Sequence, residues 1–192
     1  FKDTDGNTPL MISLQNGFNH IVEFLFTNKA DVNAINSVGD SALILSIGFT
    51  PLMIVLKNRD TSDNSVREIV QVLLENGASV NDTSKHGETP LMFAAKKENN
   101  MKIVQILLEN GTSVNDTNEY GETPLMLAAK KEESMSVLQL LLDHGAKLDD
   151  MDKKGNTHSL LHVALSNGHI ECAKLLVQHG ANIDCNHALE LA

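Results

Sequence analysis

The chain repeats one pattern of residues at a fixed interval of 34 residues. The sequence GETPL occurs at 87–91 and again at 121–125, and Gly77, Gly111 and Gly145 close matching apolar runs at the same spacing. Self-similarity with a period of about 20 to 50 residues is typical of stacked supersecondary units. A unit of this size cannot bury its apolar face alone, so we expect each unit to be completed by its neighbours.

The residue types within one unit predict two helices. Thr-Pro-Leu at 89–91 suits the start of the first helix, because a Thr hydroxyl caps free N–H groups and proline is tolerated at the first helical position. Ile103, Val104 and Leu107 follow the spacing of a second amphipathic helix. Gly111 stands where a helix ends in a left-handed residue. Asn and Asp residues then indicate a turn into the next unit.

This pattern, D/N-x-x-G-x-T-P-L followed by an apolar helix and G-A-x-V-N, resembles the ankyrin repeat and covers nearly the whole chain. The resemblance implies an all-α solenoid of stacked helix-turn-helix units with β-turn or hairpin connections. We therefore interpret 1–192 as a single ankyrin-repeat domain. Its predicted repeats are 1–35, 48–83, 84–117, 118–151 and 152–186, with partial units at 36–47 and 187–192.

The period breaks in the second unit. Gly39 lies 33 residues after Gly6, yet a further GxTPL pattern begins at Gly48, only nine residues later. We interpret 36–47 as a half repeat whose second helix is missing from the sequence, so that Ile47 and Gly48 are not peptide neighbours. The segment 187–192 resembles the start of another first helix, or a degenerate cap.

The charge of the chain disfavours nucleic acid and membrane as partners. Lys and Arg number 15 and Asp and Glu 25, a net charge of −10, whereas nucleic-acid and anionic-membrane surfaces are matched by clustered positive charge. No apolar run is long enough to span a bilayer. Two cysteines, Cys172 and Cys185, suit a reducing compartment, so we expect a cytoplasmic or nuclear protein. Because Phe1 already lies in a repeat, we expect the chain to be a fragment.

The search for reactive groups identifies no catalytic residue, metal site or cofactor. His158 and His162 are four residues apart, but the Glu that a zinc-binding HExxH motif requires is missing. Cys172 falls on the apolar face of a second helix, which favours a small buried residue over a nucleophile. No combination of nucleophile, base and oxyanion donor is evident. The sequence therefore predicts a protein that is not an enzyme.

Two recurring residues have alternative interpretations. A methionine follows Thr-Pro-Leu in four units, either filling the core between first helices or lining an adaptable apolar groove. These methionines are Met11, Met53, Met92 and Met126. An asparagine ends the turn at Asn33, Asn81 and Asn115. By resemblance it is a possible site of hydroxylation, and by its residue type it is a turn residue bonded to its own backbone.

By resemblance, partners bind the concave surface formed by the turn tips and the exposed side of the first helices. Tyr120 is the only tyrosine and is the expected anchor, since tyrosine is enriched at binding hot spots. Lysines at the ends of the first helices form a row beside Glu-bearing tips, which suits a partner peptide with both charge types or an acidic segment along the row. The predicted partner-binding residues are Lys85, His86, Glu88, Lys96, Lys97, Glu119, Tyr120, Glu122, Lys130, Lys131, Lys153, Lys154 and Asn156.

Two functions remain open. The first is a monomeric, non-catalytic scaffold that binds a partner protein or peptide on the concave surface. The second is a regulatory domain that senses a small nucleotide, because the long loops and the Asp-Cys pair at 184–185 are similar to the ankyrin portion of ribonuclease L. The second function would need aromatic side chains that stack on a base, and a surface that attracts phosphate. The sequence offers no such aromatic pair, and its net charge repels phosphate.

Overall fold

The computed structural model describes residues 2–16, 18–37, 64–84, 86–96, 100–131, 134–148 and 160–181. Across these ranges the secondary-structure elements are helices, most of them in contacting pairs, and the pairs from residue 90 onward pack on one another. The predicted all-α repeat solenoid is therefore confirmed. The helices are α1 Pro9–Gln15, α2 Asn19–Thr27, α3 Asn64–Glu75, α4 Pro90–Ala95, α5 Met101–Glu109, α6 Pro124–Ala129, α7 Met135–Asp143, α8 Leu160–Ser166 and α9 Ile170–Gln178.

Thr-Pro-Leu starts the first helices as predicted. The Thr89 hydroxyl accepts a 3.3 Å hydrogen bond from Met92 N, and the backbone N–H of Thr89 donates to the Met92 sulfur at 3.4 Å. Thr8 and Met11 make the same two bonds, and Thr123 caps its helix through its hydroxyl. A thioether thus occupies the place that Glu or Gln takes in an ordinary capping box. Its sulfur is a weak acceptor, which suffices at a site closed to water.

The recurring methionine fills the core. Met11, Met92 and Met126 are all buried, and Met53 lies outside the described residues. The side chains of Met11 and Met92 turn back over the starts of their own helices instead of lining an open groove. The core-filling interpretation is therefore confirmed in these three units.

Second helices supply the rest of the core. Leu73, Leu107, Leu141 and Leu176 occupy one equivalent position in α3, α5, α7 and α9, and all four are buried. Cys172 is buried as well, as predicted for a small core residue. Consecutive second helices contact each other from α3 to α5, from α5 to α7 and from α7 to α9. The core therefore runs continuously along the stack.

The glycine after each of these helices has the predicted left-handed conformation. The φ angles of Gly77, Gly111, Gly145 and Gly180 lie between 78° and 92°. Glycine adopts this conformation without the steric cost that a Cβ atom imposes. The first repeat differs, because Lys29 takes the same position with a φ of 58°.

The turn asparagines join consecutive units. Asn115 Nδ2 donates to Gly145 O at 3.1 Å, and Asn115 Oδ1 accepts from Lys147 N at 2.9 Å. Asn81 and Asn33 make equivalent pairs of bonds to the described unit that follows each of them. The expected bond to the turn's own backbone is replaced by bonds across the stack. The free backbone groups at the end of the neighbouring helix lie within reach of the amide.

The predicted half repeat falls mainly outside the described residues, as do the predicted break between Ile47 and Gly48 and the partial unit at 187–192. The first repeat is hydrogen-bonded to residues that precede 38–63 in the sequence and to residues that follow it. Ser37 N donates to Asp5 O at 3.0 Å on one side. On the other side Asn33 reaches Gly77, 44 residues away, whereas the corresponding bonds between later units span 30 residues.

A membrane-crossing helix would need both length and an apolar surface. None of the helices in the described parts of the chain has this combination.

Candidate functional site

The turn tips are fixed by a polar side chain at the start of each tip. Asn118 is buried, and its Oδ1 accepts hydrogen bonds from Tyr120 N at 3.0 Å and Glu122 N at 2.9 Å. Ser84 and Asp3 hold the tips of their own units through the same pair of backbone N–H groups. Side chains of this kind stabilise turns by bonding the backbone two residues on. The tips therefore present their outer residues in a defined direction.

Neighbouring tips are tied to each other. Glu119 N donates to His86 O at 3.0 Å, and His86 Nδ1 lies 2.6 Å from Glu119 Oε1. Both side chains remain substantially exposed. Two of the predicted partner-binding residues are thus brought together, and the tips of the two central repeats form one continuous edge.

Tyr120 is exposed, with 61% of its surface open to solvent. Its hydroxyl is hydrogen-bonded to Glu119, and this bond, together with the negative charges of Glu119, Glu88 and Glu122, raises the pKa of Tyr120. The phenol therefore stays neutral in physiological conditions. It presents an apolar ring and a hydroxyl whose direction is set by a neighbouring carboxylate.

Each central repeat pairs the glutamate of its tip with the lysine at the end of its first helix. Glu88 bonds Lys96 Nζ, and Glu122 Oε1 accepts from Lys130 Nζ at 2.5 Å. Asn118 Nδ2 donates to the second carboxylate oxygen of Glu122 at 2.8 Å. Partial burial raises the pKa of Glu122, but the hydrogen bonds from Lys130 and Asn118 outweigh it, so that pKa lies below its ordinary value.

These pairs change the electrostatics expected for the lysine row. Lys96 and Lys130 each face a carboxylate of their own repeat, so their charges are largely balanced within the protein. Lys96 Nζ also lies 5.4 Å from the centroid of the Phe93 ring, within the range of a cation–π contact. Lys131 is exposed beside this network. The described surface is therefore a mosaic of paired charges around Tyr120.

Several of the predicted residues lie outside the part of the chain that the structure describes. Lys97 of the lysine row and His158 of the histidine pair lie outside the described residues, and His162 is exposed on α8. Among the residues that the structure does describe, no three His, Cys, Asp or Glu side chains approach closely enough to hold a metal ion. The remaining predicted surface residues outside the described ranges are Lys85, Lys153, Lys154 and Asn156.

Sequence reasoning missed the residues that organise the surface. Asn118 was not singled out, although it stands at the same position as Ser84 and Asp3 and sets the shape of the tip. The glutamate–lysine pairs were treated as separate charges. Their spacing was visible, because Glu88 and Glu122 each precede their lysine by eight residues in units 34 residues apart.

Comparison with known families agrees with this architecture. A family model described as ankyrin repeats in three copies matches residues 46–118 and 91–187, which together make up more than half of the chain. A second model, described as the ankyrin repeat, matches residues 5–37. No curated protein gives a significant match to the chain.

Proposed function

The chain belongs to the ankyrin repeat family, and on that premise we propose that it is a scaffold that binds a partner protein or peptide on its concave surface. Ankyrin repeats in general mediate protein–protein interactions and are typically non-catalytic. The proposed contact surface is formed by the tips and first-helix ends of the two central repeats.

The observation that carries this proposal is the position of Tyr120. Its side chain is 61% exposed, while Asn118 fixes its backbone and Glu119 bonds its hydroxyl. An aromatic residue held in this way loses little conformational entropy on binding and offers a large contact area. Aromatic anchors of this kind dominate the binding energy of many interfaces.

The paired charges support one of the two expected kinds of partner. A purely acidic segment would have to compete with Glu88 and Glu122 for their lysines. A peptide that carries both charge types can instead bond to the outer atoms of each pair without breaking it. We propose a partner segment with mixed charges and an apolar side chain that packs on the Tyr120 ring.

The test combines crosslinking with a point variant. A photoreactive amino acid at position 120 should capture the partner from cell extract, whereas the same amino acid at Gln105, exposed on α5, should not. With the captured partner, Tyr120→Ala should weaken binding about fivefold or more and leave the melting temperature nearly unchanged. Gln105→Ala is the matched control and should change neither quantity.

The outcome that contradicts the concave-surface proposal is capture from position 105 alone, with Tyr120→Ala binding like the parent. A regulatory domain similar to that of ribonuclease L predicts a different result. Calorimetry against a panel of nucleotides and oligonucleotides would then show a saturable heat in the absence of any protein partner. That result would replace the scaffold proposal.

A further inference from the structure

Two buried side chains at the starts of second helices each carry a polar atom to which no group of the described residues is hydrogen-bonded. Asn100 immediately precedes α5 and Ser134 immediately precedes α7, and each is 1% exposed. The atoms are Asn100 Oδ1 and Ser134 Oγ. A buried polar atom without a partner is uncommon in native proteins, because it loses its bonds to bulk water and gains none in return.

Neither side chain has the role that its residue type usually has at a helix start. Asparagine and serine at this position ordinarily accept hydrogen bonds from backbone N–H groups of the first turn. Asn100 and Ser134 make no such bond to their helices, and both have a ψ angle of 13° instead of the extended conformation of Thr89. Both polar atoms lie in the protein interior instead.

The last described repeat shows what a side chain at this position can contact. His169 immediately precedes α9, and its Nδ1 lies 3.1 Å from Ala129 O, the carbonyl oxygen of the last residue of α6. Because a carbonyl oxygen can only accept, the ring nitrogen donates. The last carbonyl groups of a helix have no partner within the helix, so they can accept bonds from such donors.

The central repeats place shorter side chains near the same kind of carbonyl group. Asn100 Nδ2 donates to Ala94 O at 3.4 Å, close to the end of α4. Ala95 ends α4 as Ala129 ends α6, so Ala95 O is the counterpart of the group that His169 contacts. A serine hydroxyl is much shorter than an imidazole ring, and Ser134 Oγ reaches no carbonyl oxygen of the described residues.

We propose that Asn100 Oδ1 and Ser134 Oγ each bind one buried water molecule, which links the start of a second helix to carbonyl groups at the end of a first helix. Asn100 Oδ1 and the helix-end carbonyl oxygens can only accept, and a water molecule supplies two donors. Ser134 Oγ accepts one of these bonds. Buried waters typically make about three hydrogen bonds to groups that are otherwise unsatisfied. In the last described repeat the ring of His169 takes the place of the water.

The two water sites lie beside a helix that contributes to the proposed binding surface. Lys96, which bonds Glu88, directly follows Ala95 at the end of α4. Waters bonded to the last carbonyl groups of α4 therefore fix the backbone from which this lysine extends. The water sites belong to the stack itself, so their test needs no partner protein.

Ser134→Ala distinguishes a water-bonded hydroxyl from an unbonded one by the sign of its effect. The loss of a bond to water should lower the urea midpoint by about 0.3 M or more. A hydroxyl buried without any partner would give the opposite result, because its removal relieves a desolvation cost. Ser136→Ala, the same exchange at an exposed position of α7, is the matched control and should leave the midpoint unchanged or raise it slightly.

An X-ray structure of the protein at high resolution locates the ligand directly. It should show one water within hydrogen-bond distance of Asn100 Oδ1 and another within that distance of Ser134 Oγ. In Ser134→His the ring should bond Ala95 O as His169 bonds Ala129 O. The water at position 134 should then be displaced, while the water at Asn100 stays.

Two results would overturn the proposal. One is a urea midpoint for Ser134→Ala that equals or exceeds that of Ser136→Ala. The other is an X-ray structure of the parent in which either polar atom has no water within hydrogen-bond distance. Both results are obtained without Ser134→His, so the test stands if that variant does not fold.

Discussion

The first repeat and the central repeats form the same kinds of hydrogen bonds, but they differ in how many of their faces are covered by neighbouring units. In both, a Thr hydroxyl caps the first helix and a polar side chain holds the tip. In both, an asparagine side chain is hydrogen-bonded to the next described unit. The central repeats have covered faces on both sides. The first repeat has one covered face and one apolar face open to solvent.

The helix ends show the difference most clearly. The turn after α2 has the same bonds as the later turns, with Lys29 N donating to Phe26 O at 2.9 Å and Ala30 N to Leu25 O at 3.0 Å. In the central repeats the residue with the left-handed backbone conformation is a glycine, whereas in the first repeat it is a lysine. The turn therefore forms even with an unfavourable residue, because the stack and its bonds impose it.

The tips also keep one turn while the residue that donates a side-chain hydrogen bond changes. In the first repeat Asp3 opens the tip and accepts a 3.1 Å bond from the Asn7 amide. In the repeat at 118–151 Asn118 opens the tip and donates at 2.8 Å to the Glu122 carboxylate. Donor and acceptor have changed places and the turn is kept. In both tips a side-chain hydrogen bond joins these two positions, whichever of them carries the charge.

The largest expected effect is a difference in the free energy of unfolding lost when a core leucine is truncated in a central repeat and in the first repeat. Leu107→Ala removes a buried side chain of α5 and should lower the free energy of unfolding by about 2 to 5 kcal/mol. Leu25→Ala, at the equivalent but partly exposed position of α2, should cost clearly less. Urea denaturation followed by circular dichroism measures both losses. Equal losses would mean that the first repeat is packed as tightly as the centre.

A smaller effect, of opposite sign, is expected at the helix ends. Lys29→Gly should raise the free energy of unfolding by about 1 kcal/mol, because a non-glycine residue in the left-handed region carries a steric cost of about that size. Gly111→Ala, the reverse change in a central repeat, should lower it by a similar amount. Thermal or urea unfolding checks both. A destabilised Lys29→Gly variant would show that the lysine side chain makes a contact worth more than the strain.

The smallest effect concerns acid. The folded pKa values of Glu122 and Asp3 both lie below their ordinary values, because hydrogen bonds to neighbouring groups favour the charged forms. Their contribution to stability is therefore complete above the unfolded carboxyl pKa and is lost as the pH falls through the folded value. Glu122→Gln should reduce the acid-induced loss of stability by less than about 1 kcal/mol, since the pair with Lys130 is partly exposed.

The matched variant for this prediction is Asp3→Asn in the first repeat. Hydrogen exchange at a series of acidic pH values should show Asp3→Asn acting on the first repeat and Glu122→Gln acting on the central repeats. An unchanged pH profile for Glu122→Gln would mean that Lys130 and Asn118 do not favour the charged form of this carboxylate.

Much of the fold could be predicted because its signals are local. The caps at Thr8, Thr89 and Thr123, the left-handed glycines and the burial of Met92 follow from interactions within a few residues along the chain. The repeat boundaries stay a prediction along the whole chain. The partner-binding surface also stays a prediction, since exposure alone does not identify a partner.

The sequence by itself determined the period, the helix pairs and the residues that start and end them, because these depend on neighbours in the chain. Only the tertiary structure decided that Asn115 bonds the next unit, that Glu122 and Lys130 neutralise each other, and that Ile21 is exposed where Ile103 is buried. These properties depend on what lies beside a residue in the stack. Two units with similar sequences can therefore differ in burial and charge solely because one is covered and the other is not.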